Sequence, residues 1–154
     1  MLKIINKILG VFNLSLGLKN KFKPLPTDFD SEHKEIWSKV SPYTMTSPER
    51  IYTLIESVKH IEKHKVAGAI VECGVWKGGS MMAAIDTLNI FGNTNRELYL
   101  YDTFEGMSEP GENDFDHNKE TAKAQLSNRK KSEEDLIWAF SPIEQVQKIG
   151  RAHV

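Results

Sequence analysis

The sequence predicts an α/β fold built on a doubly wound parallel sheet, and three observations predict it. A short apolar run, Ala69 to Val71, ends in Glu72 and meets a turn with glycines at 74, 78 and 79. Beyond that turn, Ser80 to Phe91 carries apolar residues at helical spacing. A second apolar run, Glu97 to Tyr101, ends in Asp102, thirty positions after Glu72. Strand, glycine turn, helix, strand is the order of a nucleotide-binding βαβ unit, in which N–H groups at the helix start face the ligand.

Composition narrows the class. A chain of 154 residues has the size of one domain. With 40% hydrophobic and 27% charged residues it reads as an ordinary soluble protein. The net charge of -1 argues against a general nucleic-acid binder, which needs an excess of Lys and Arg. A single cysteine, Cys73, rules out an internal disulfide and fits a reducing compartment, so a cytoplasmic location is expected. No run of eighteen apolar residues marks a membrane span.

The elements follow in order. Leu2, Ile5, Leu9 and Phe12 recur at helical spacing within residues 1–23, among lysines unopposed by any acid. That pattern suits a helix packed on the domain or on a second subunit, with an anionic membrane surface as the less favoured partner. Pro24, Pro26 and Asp28 form an extended linker. Ser31 to Val40 is a short helix with Ile36, Trp37 and Val40 on one side, and Ser41 to Ser47 is a polar loop. Ser47-Pro48-Glu49 supplies a cap, an N1 proline and a first-turn acid. The helix it starts runs to about His64 with the stripe Ile51, Leu54, Ile55, Val58 and Ile61. His60 and His64 lie one turn apart, but neighbouring lysines make solvated side chains the better reading than a metal pair.

After Asp102 comes a base-free loop with Glu105, Glu109, Glu112, Asp114 and Asp116, placed to act as a lid. It lacks calcium-loop spacing. Asn118 to Leu126 reads as a helix, Asn128 to Glu134 as a charged turn, and Leu136 to Phe140 as a third strand. Ser141-Pro142 opens a helix expected to stop near Lys148. Residues 149–154 resemble the translation of a sequencing adapter, and are expected to be a non-native tail.

The turn has definite chemistry. Gly74 allows a tight turn at the strand end, and Gly78 and Gly79 keep the helix entrance clear for main-chain donors. Glu72 can accept hydrogen bonds from an ammonium group, as in the aminopropyl-carboxylate part of S-adenosylmethionine, which a neutral dinucleotide site rarely requires. Asp102 stands where such folds hold a ribose hydroxyl pair, at about 1.5–3 kcal/mol per bond to a charged acceptor. Tyr101, Phe104 and Phe140 can supply apolar surface for adenine. The turn reads G-x-x-x-G-G rather than the dinucleotide fingerprint G-x-G-x-x-G. A nucleotide-dependent oxidoreductase is therefore the weaker alternative. A non-catalytic binding or assembly module, motivated by the basic N-terminal stretch, is another, and a turn that merely packs helix on strand is the bland one.

Three blocks taken together carry a family resemblance. They are Thr44-Met45-Thr46-Ser47-Pro48-Glu49-Arg50, Val71-Glu72-Cys73-Gly74-Val75-Trp76-Lys77-Gly78-Gly79, and Tyr101-Asp102-Thr103-Phe104-Glu105-Gly106-Met107. In order and spacing the chain resembles the macrocin O-methyltransferases (TylF/MycF-like) from about Ser41 to Lys148. The resemblance implies a Rossmann-like class I methyltransferase fold, here truncated after about the third strand. A helical N-terminal extension and linker would occupy 1–40, and the N-terminal part of the methyltransferase domain 41–148. It implies S-adenosyl-L-methionine as cofactor and a small-molecule acceptor, often a sugar or natural product, methylated on a hydroxyl. The cofactor residues it implies are Glu72, Gly74, Gly78 and Asp102, with Ser80, Thr46 and Ser47 more weakly. Family members also hold Mg2+ through later acidic pairs, which this sequence lacks after Lys148. The chain as written is accordingly expected to bind cofactor poorly, not to turn over, and to expose an apolar flank. No catalytic base is assigned, His117 being a loop histidine. A homo-oligomer is left open.

Overall fold

The computed structural model describes residues 24–127, 129, 131–132 and 136–153. The amphipathic helix expected within residues 1–23 lies outside them, as does part of the charged turn 128–134.

Helix α1, Ser31–Val40, starts where Asp30 caps it: the Asp30 carboxylate accepts the His33 N–H at 2.9 Å. Ile36 and Val40 on one face are buried. A single 3-10 turn, Ser41–Tyr43, occupies the expected polar loop. Helix α2, Pro48–Lys63, has Ser47 at its N-cap position, Pro48 at N1 and Glu49 in the first turn, although the Ser47 side chain makes no capping bond. Of its stripe, Ile51, Ile55 and Val58 are buried.

Helix α3, Gly79–Ile90, is the packing centre. Met82 and Ala83 meet Ile36 and Val40 of α1 and Ile51 and Ile55 of α2 in one cluster. Ala84 and Leu88 join Val58 in a second, against which Ile70 and Leu98 of the sheet pack. The buried Thr87 hydroxyl donates to the Ala83 carbonyl at 2.7 Å, so no polar group is stranded there. Ile55 is 0% exposed, and Ile55→Ala should cost about 2–5 kcal/mol. A urea midpoint lowered by less than the equivalent of 1 kcal/mol would show that this cluster is not the core.

Strands β1, Ile70–Cys73, and β2, Leu98–Tyr101, pair in parallel, with Ile70 opposite Leu98 and Cys73 opposite Tyr101. The Gly74 N–H continues the ladder to the Tyr101 carbonyl at 2.8 Å. The start of each strand is tied by Arg96. Its Nε donates to Glu62 Oε1 at 2.6 Å, and Nη1 and Nη2 donate to the Gly68 and Val66 carbonyls at 2.6 and 2.8 Å. Side chains alternate across a sheet. Ile70 and Leu98 go to the helices, while Val71, Tyr99 and Tyr101 on the opposite face are 55%, 43% and 60% exposed. That face of the sheet therefore presents three exposed apolar or aromatic side chains among the described residues.

Three expectations need correction. Residues 136–140 are not a strand: Leu136–Ala139 is a turn, closed by the Ala139 N–H on the Leu136 carbonyl at 3.2 Å. An apolar run of five cannot by itself distinguish a buried strand from another buried segment. Here only Trp138 is buried, and its carbonyl accepts the Met107 N–H at 2.8 Å rather than pairing with a strand edge. The sheet among the described residues thus has two strands. The helix expected from Asn118 begins later, as α4, Ala122–Ser127. Asp116 Oδ1 takes the Asn118 and Glu120 N–H groups at 2.8 and 2.9 Å, a local turn that competes with helix. Finally, α5, Ile143–His153, runs past Lys148, and Ile149 packs against the first core cluster, giving the extra turn an apolar anchor.

Candidate functional site

Glu72 is the penultimate residue of β1 and points to the helix face of the sheet, beside the start of α3. It lines a cleft of about 360 Å³ with Thr46, Arg50, Ile70, Cys73, Ser80 and Met81, among others. Three of the residues expected at the site, Thr46, Glu72 and Ser80, therefore meet there. Oε2 of Glu72 is buried and has no hydrogen-bond partner. Burial pushes the Glu72 carboxyl above the usual carboxylate range; the Ser80 hydroxyl eases it back, and the Asp102 charge raises it further. A carboxylate oxygen that is buried, unpaired and destabilised as an anion is suited to receive a cationic donor.

The turn between β1 and α3 is organised by Asp102, at the end of β2. Asp102 Oδ2 accepts the Val75 N–H at 2.6 Å and the Trp76 N–H at 3.1 Å, and Oδ1 accepts the Phe104 N–H at 2.8 Å. Burial pushes this carboxyl up, but the amides of Phe104, Val75, Trp76 and Thr103 outweigh it and hold the group below its ordinary value. The two carboxylates are thus separated by environment: backbone amides favour the Asp102 anion, and burial disfavours that of Glu72.

Gly78 is the N-cap of α3 at φ 85, the left-handed conformation that glycine adopts without strain. Ahead of the helix ladder, the N–H groups of Gly79, Ser80 and Met81 lie at the positive end of α3. Gly79 does something the sequence reading missed. A Cβ there would lie 2.6 Å from the Tyr43 carbonyl oxygen and 2.8 Å from Thr44 Cβ. Its bare α-carbon lets the 3-10 turn sit directly on the helix start and brings Thr46 toward the cleft. No signal in the glycine spacing distinguishes that task from clearing a path to a ligand.

The remaining expected residues are less convergent. Gly74, at φ 94, faces open space, and Ser47 is exposed and outside the cleft lining. Of the three aromatics proposed for adenine, Tyr101 is exposed, and Phe104 and Phe140 are half-buried. His117 is exposed in the acidic loop. The rings of His60 and His64 lie tilted against each other with centroids 4.3 Å apart, both exposed. Among the described residues no three His, Cys, Asp or Glu side chains converge to hold a metal ion, so the residues present do not fit a magnesium site. Nor is any described helix long and apolar enough to cross a membrane.

With this geometry in view, the similarities to known proteins can be read. The family of macrocin O-methyltransferases (TylF) matches residues 19–145, so the match begins well before Ser41 and takes in part of the stretch expected to lie outside it. The 8-demethyl-8-(2,3-dimethoxy-alpha-L-rhamnosyl)-tetracenomycin-C 4'-O-methyltransferase of Streptomyces olivaceus is 37% identical over 75 residues, which cover 49% of this chain and 28% of that one. The demethyldecarbamoylnovobiocin O-methyltransferase of Streptomyces niveus is 26% identical over 80 residues, covering 52% of this chain and 30% of that one. The chain thus spans under a third of the length of these curated relatives. The solved structure of the O-methyltransferase NovP superposes with a TM-score of 0.55 at 23% identity, over 72% of this chain and 42% of that one, a likeness of fold. The family match takes in most of the chain, the Glu72 turn and Asp102 included, and this settles the affiliation: the chain belongs to the macrocin O-methyltransferase (TylF) family.

Proposed function

We propose that the whole protein is an S-adenosylmethionine-dependent O-methyltransferase that transfers a methyl group to a hydroxyl of a small acceptor of the sugar or natural-product kind. The observation that carries this reading is the buried, unpartnered Glu72 oxygen beside the start of α3. Family membership and the two Streptomyces methyltransferases support it.

When bound, the cofactor supplies a methyl group on a cationic sulfur, open to in-line attack by an oxygen. The chain's own residues have positioning and charge to contribute. Glu72 would receive the ammonium group on Oε2, which has no hydrogen-bond partner among the described residues. The free amides of Gly79, Ser80 and Met81 would face the adjoining carboxylate at the helix N-terminus. Asp102 stands at the ribose end. Thr46 and Ser80 complete the wall of the cleft. No residue is assigned as the base that takes the acceptor's proton, and no step is routed through a metal.

Isothermal titration of the whole protein with S-adenosylmethionine, S-adenosylhomocysteine and NAD tests the reading. The first two should bind and NAD should not; binding of NAD alone overturns it. Asp102→Ala should weaken S-adenosylhomocysteine at least tenfold, and an unchanged affinity would remove Asp102 from the site.

A further inference from the structure

Asp102 holds more of the site than a ribose contact requires. An ionised carboxylate offers about four acceptor positions. Val75 and Trp76 take two of them on Oδ2, Phe104 takes one on Oδ1, and the Thr103 amide adds its pull. At most one position is left for a hydroxyl pair. Two of the donors are also conformationally unusual: Trp76 and Phe104 have φ of 50 and 57, a left-handed backbone that bulky residues rarely adopt. Each lies on a different loop, Trp76 after β1 and Phe104 after β2. Backbone strain persists where surrounding bonds over-determine it, and the bonds here converge on one side chain.

We propose that Asp102 is a positioning residue, the clasp that joins the two loops at the end of the sheet and holds Trp76 and Phe104 in place. Its effect on the cofactor then comes chiefly through the turn that Glu72 and the α3 amides share, and only secondarily through ribose. This deepens the methyltransferase reading and rests on it for the ligand, but the clasp itself exists in the empty protein.

The test is Asp102→Asn, which keeps the shape but places a donor beside the turn amides. In the ligand-free protein the amides of Val75, Trp76 and Phe104 should exchange with solvent at least tenfold faster than in wild type, with amides of Ile55 and Leu88 unchanged as the control for folding. In the whole protein the same substitution should weaken S-adenosylhomocysteine and its 2′,3′-dideoxy analogue, which lacks the hydroxyls, by factors within threefold of each other. Unchanged exchange at the three amides overturns the clasp, as does weakening confined to the hydroxyl-bearing ligand. Should the whole wild-type protein bind neither ligand, the methyltransferase reading fails and the exchange result alone decides the clasp. If the variant does not fold, the wild type serves: the three amide proton shifts should follow the Asp102 carboxyl titration as one curve, and independent curves overturn the proposal.

Discussion

Gly79→Ala is expected to destabilise the protein by about 2 kcal/mol, although alanine is the better helix former by up to about 1 kcal/mol. The new methyl would sit 2.6 Å from the Tyr43 carbonyl oxygen and 2.7 Å from its carbon. Those atoms are backbone, fixed in a 3-10 turn that also abuts the Met82 and Ala83 core, so no flexible side-chain end can swing away. Overpacking of a close backbone contact commonly costs about 1–3 kcal/mol, and here it outweighs the propensity gain. A second consequence follows from position. Pushing Tyr43 and Thr44 away moves Thr46, which lines the cleft, so cofactor affinity should fall along with stability. A urea midpoint unchanged or raised in Gly79→Ala would show that the approach at this residue is looser than described.

Glu72→Gln should separate stability from binding. The Glu72 carboxyl lies above its ordinary range because burial penalises the anion. For a group raised in the folded state, its favourable contribution is complete below the unfolded value and is lost as pH rises through the folded one. At neutral pH ionised Glu72 therefore costs the empty protein stability. Glutamine removes the charge, so the variant should melt higher than wild type at pH 7 and lose that advantage on acidification to where Glu72 is protonated in both the folded and unfolded states. Binding should move the other way. A hydrogen bond to a charged group is worth about 1.5–3 kcal/mol, so S-adenosylhomocysteine should weaken about ten- to a hundredfold. A variant with lower stability at pH 7 and unaltered affinity would show that the buried oxygen is satisfied some other way.

What the sequence could convey depended on how local the determinants were. The helix start at Ser47-Pro48-Glu49, the stripe Ile51–Ile55–Val58 and the order β1, turn, α3, β2 were all readable, because each rests on spacing within a few residues, although Ser47 makes no side-chain cap. The third strand was not. Leu136 to Phe140 has strand composition, but pairing depends on whether another edge is available, and Met107 reaches the Trp138 carbonyl first. The later start of α4 turned on Asp116 binding backbone two and four residues ahead, a contest that propensity does not display. At the site, residue types pointed to Glu72 and Asp102, and the resemblance placed them in a cofactor pocket. That Asp102 faces turn amides, and that Gly79 is a packing residue against Tyr43, are long-range facts which no spacing along the chain encodes.

The central claim is that the Glu72 cleft receives the cationic end of the cofactor, and its pH dependence tests it most directly. Isothermal titration of S-adenosylhomocysteine into the whole protein should give an affinity that declines on acidification before an ordinary carboxylate would titrate, since the raised Glu72 must be ionised to bind an ammonium group. In Glu72→Gln the affinity should be weaker and flat over the same interval. An affinity in the wild type that is flat across that interval, or a decline that persists in Glu72→Gln, would contradict the account.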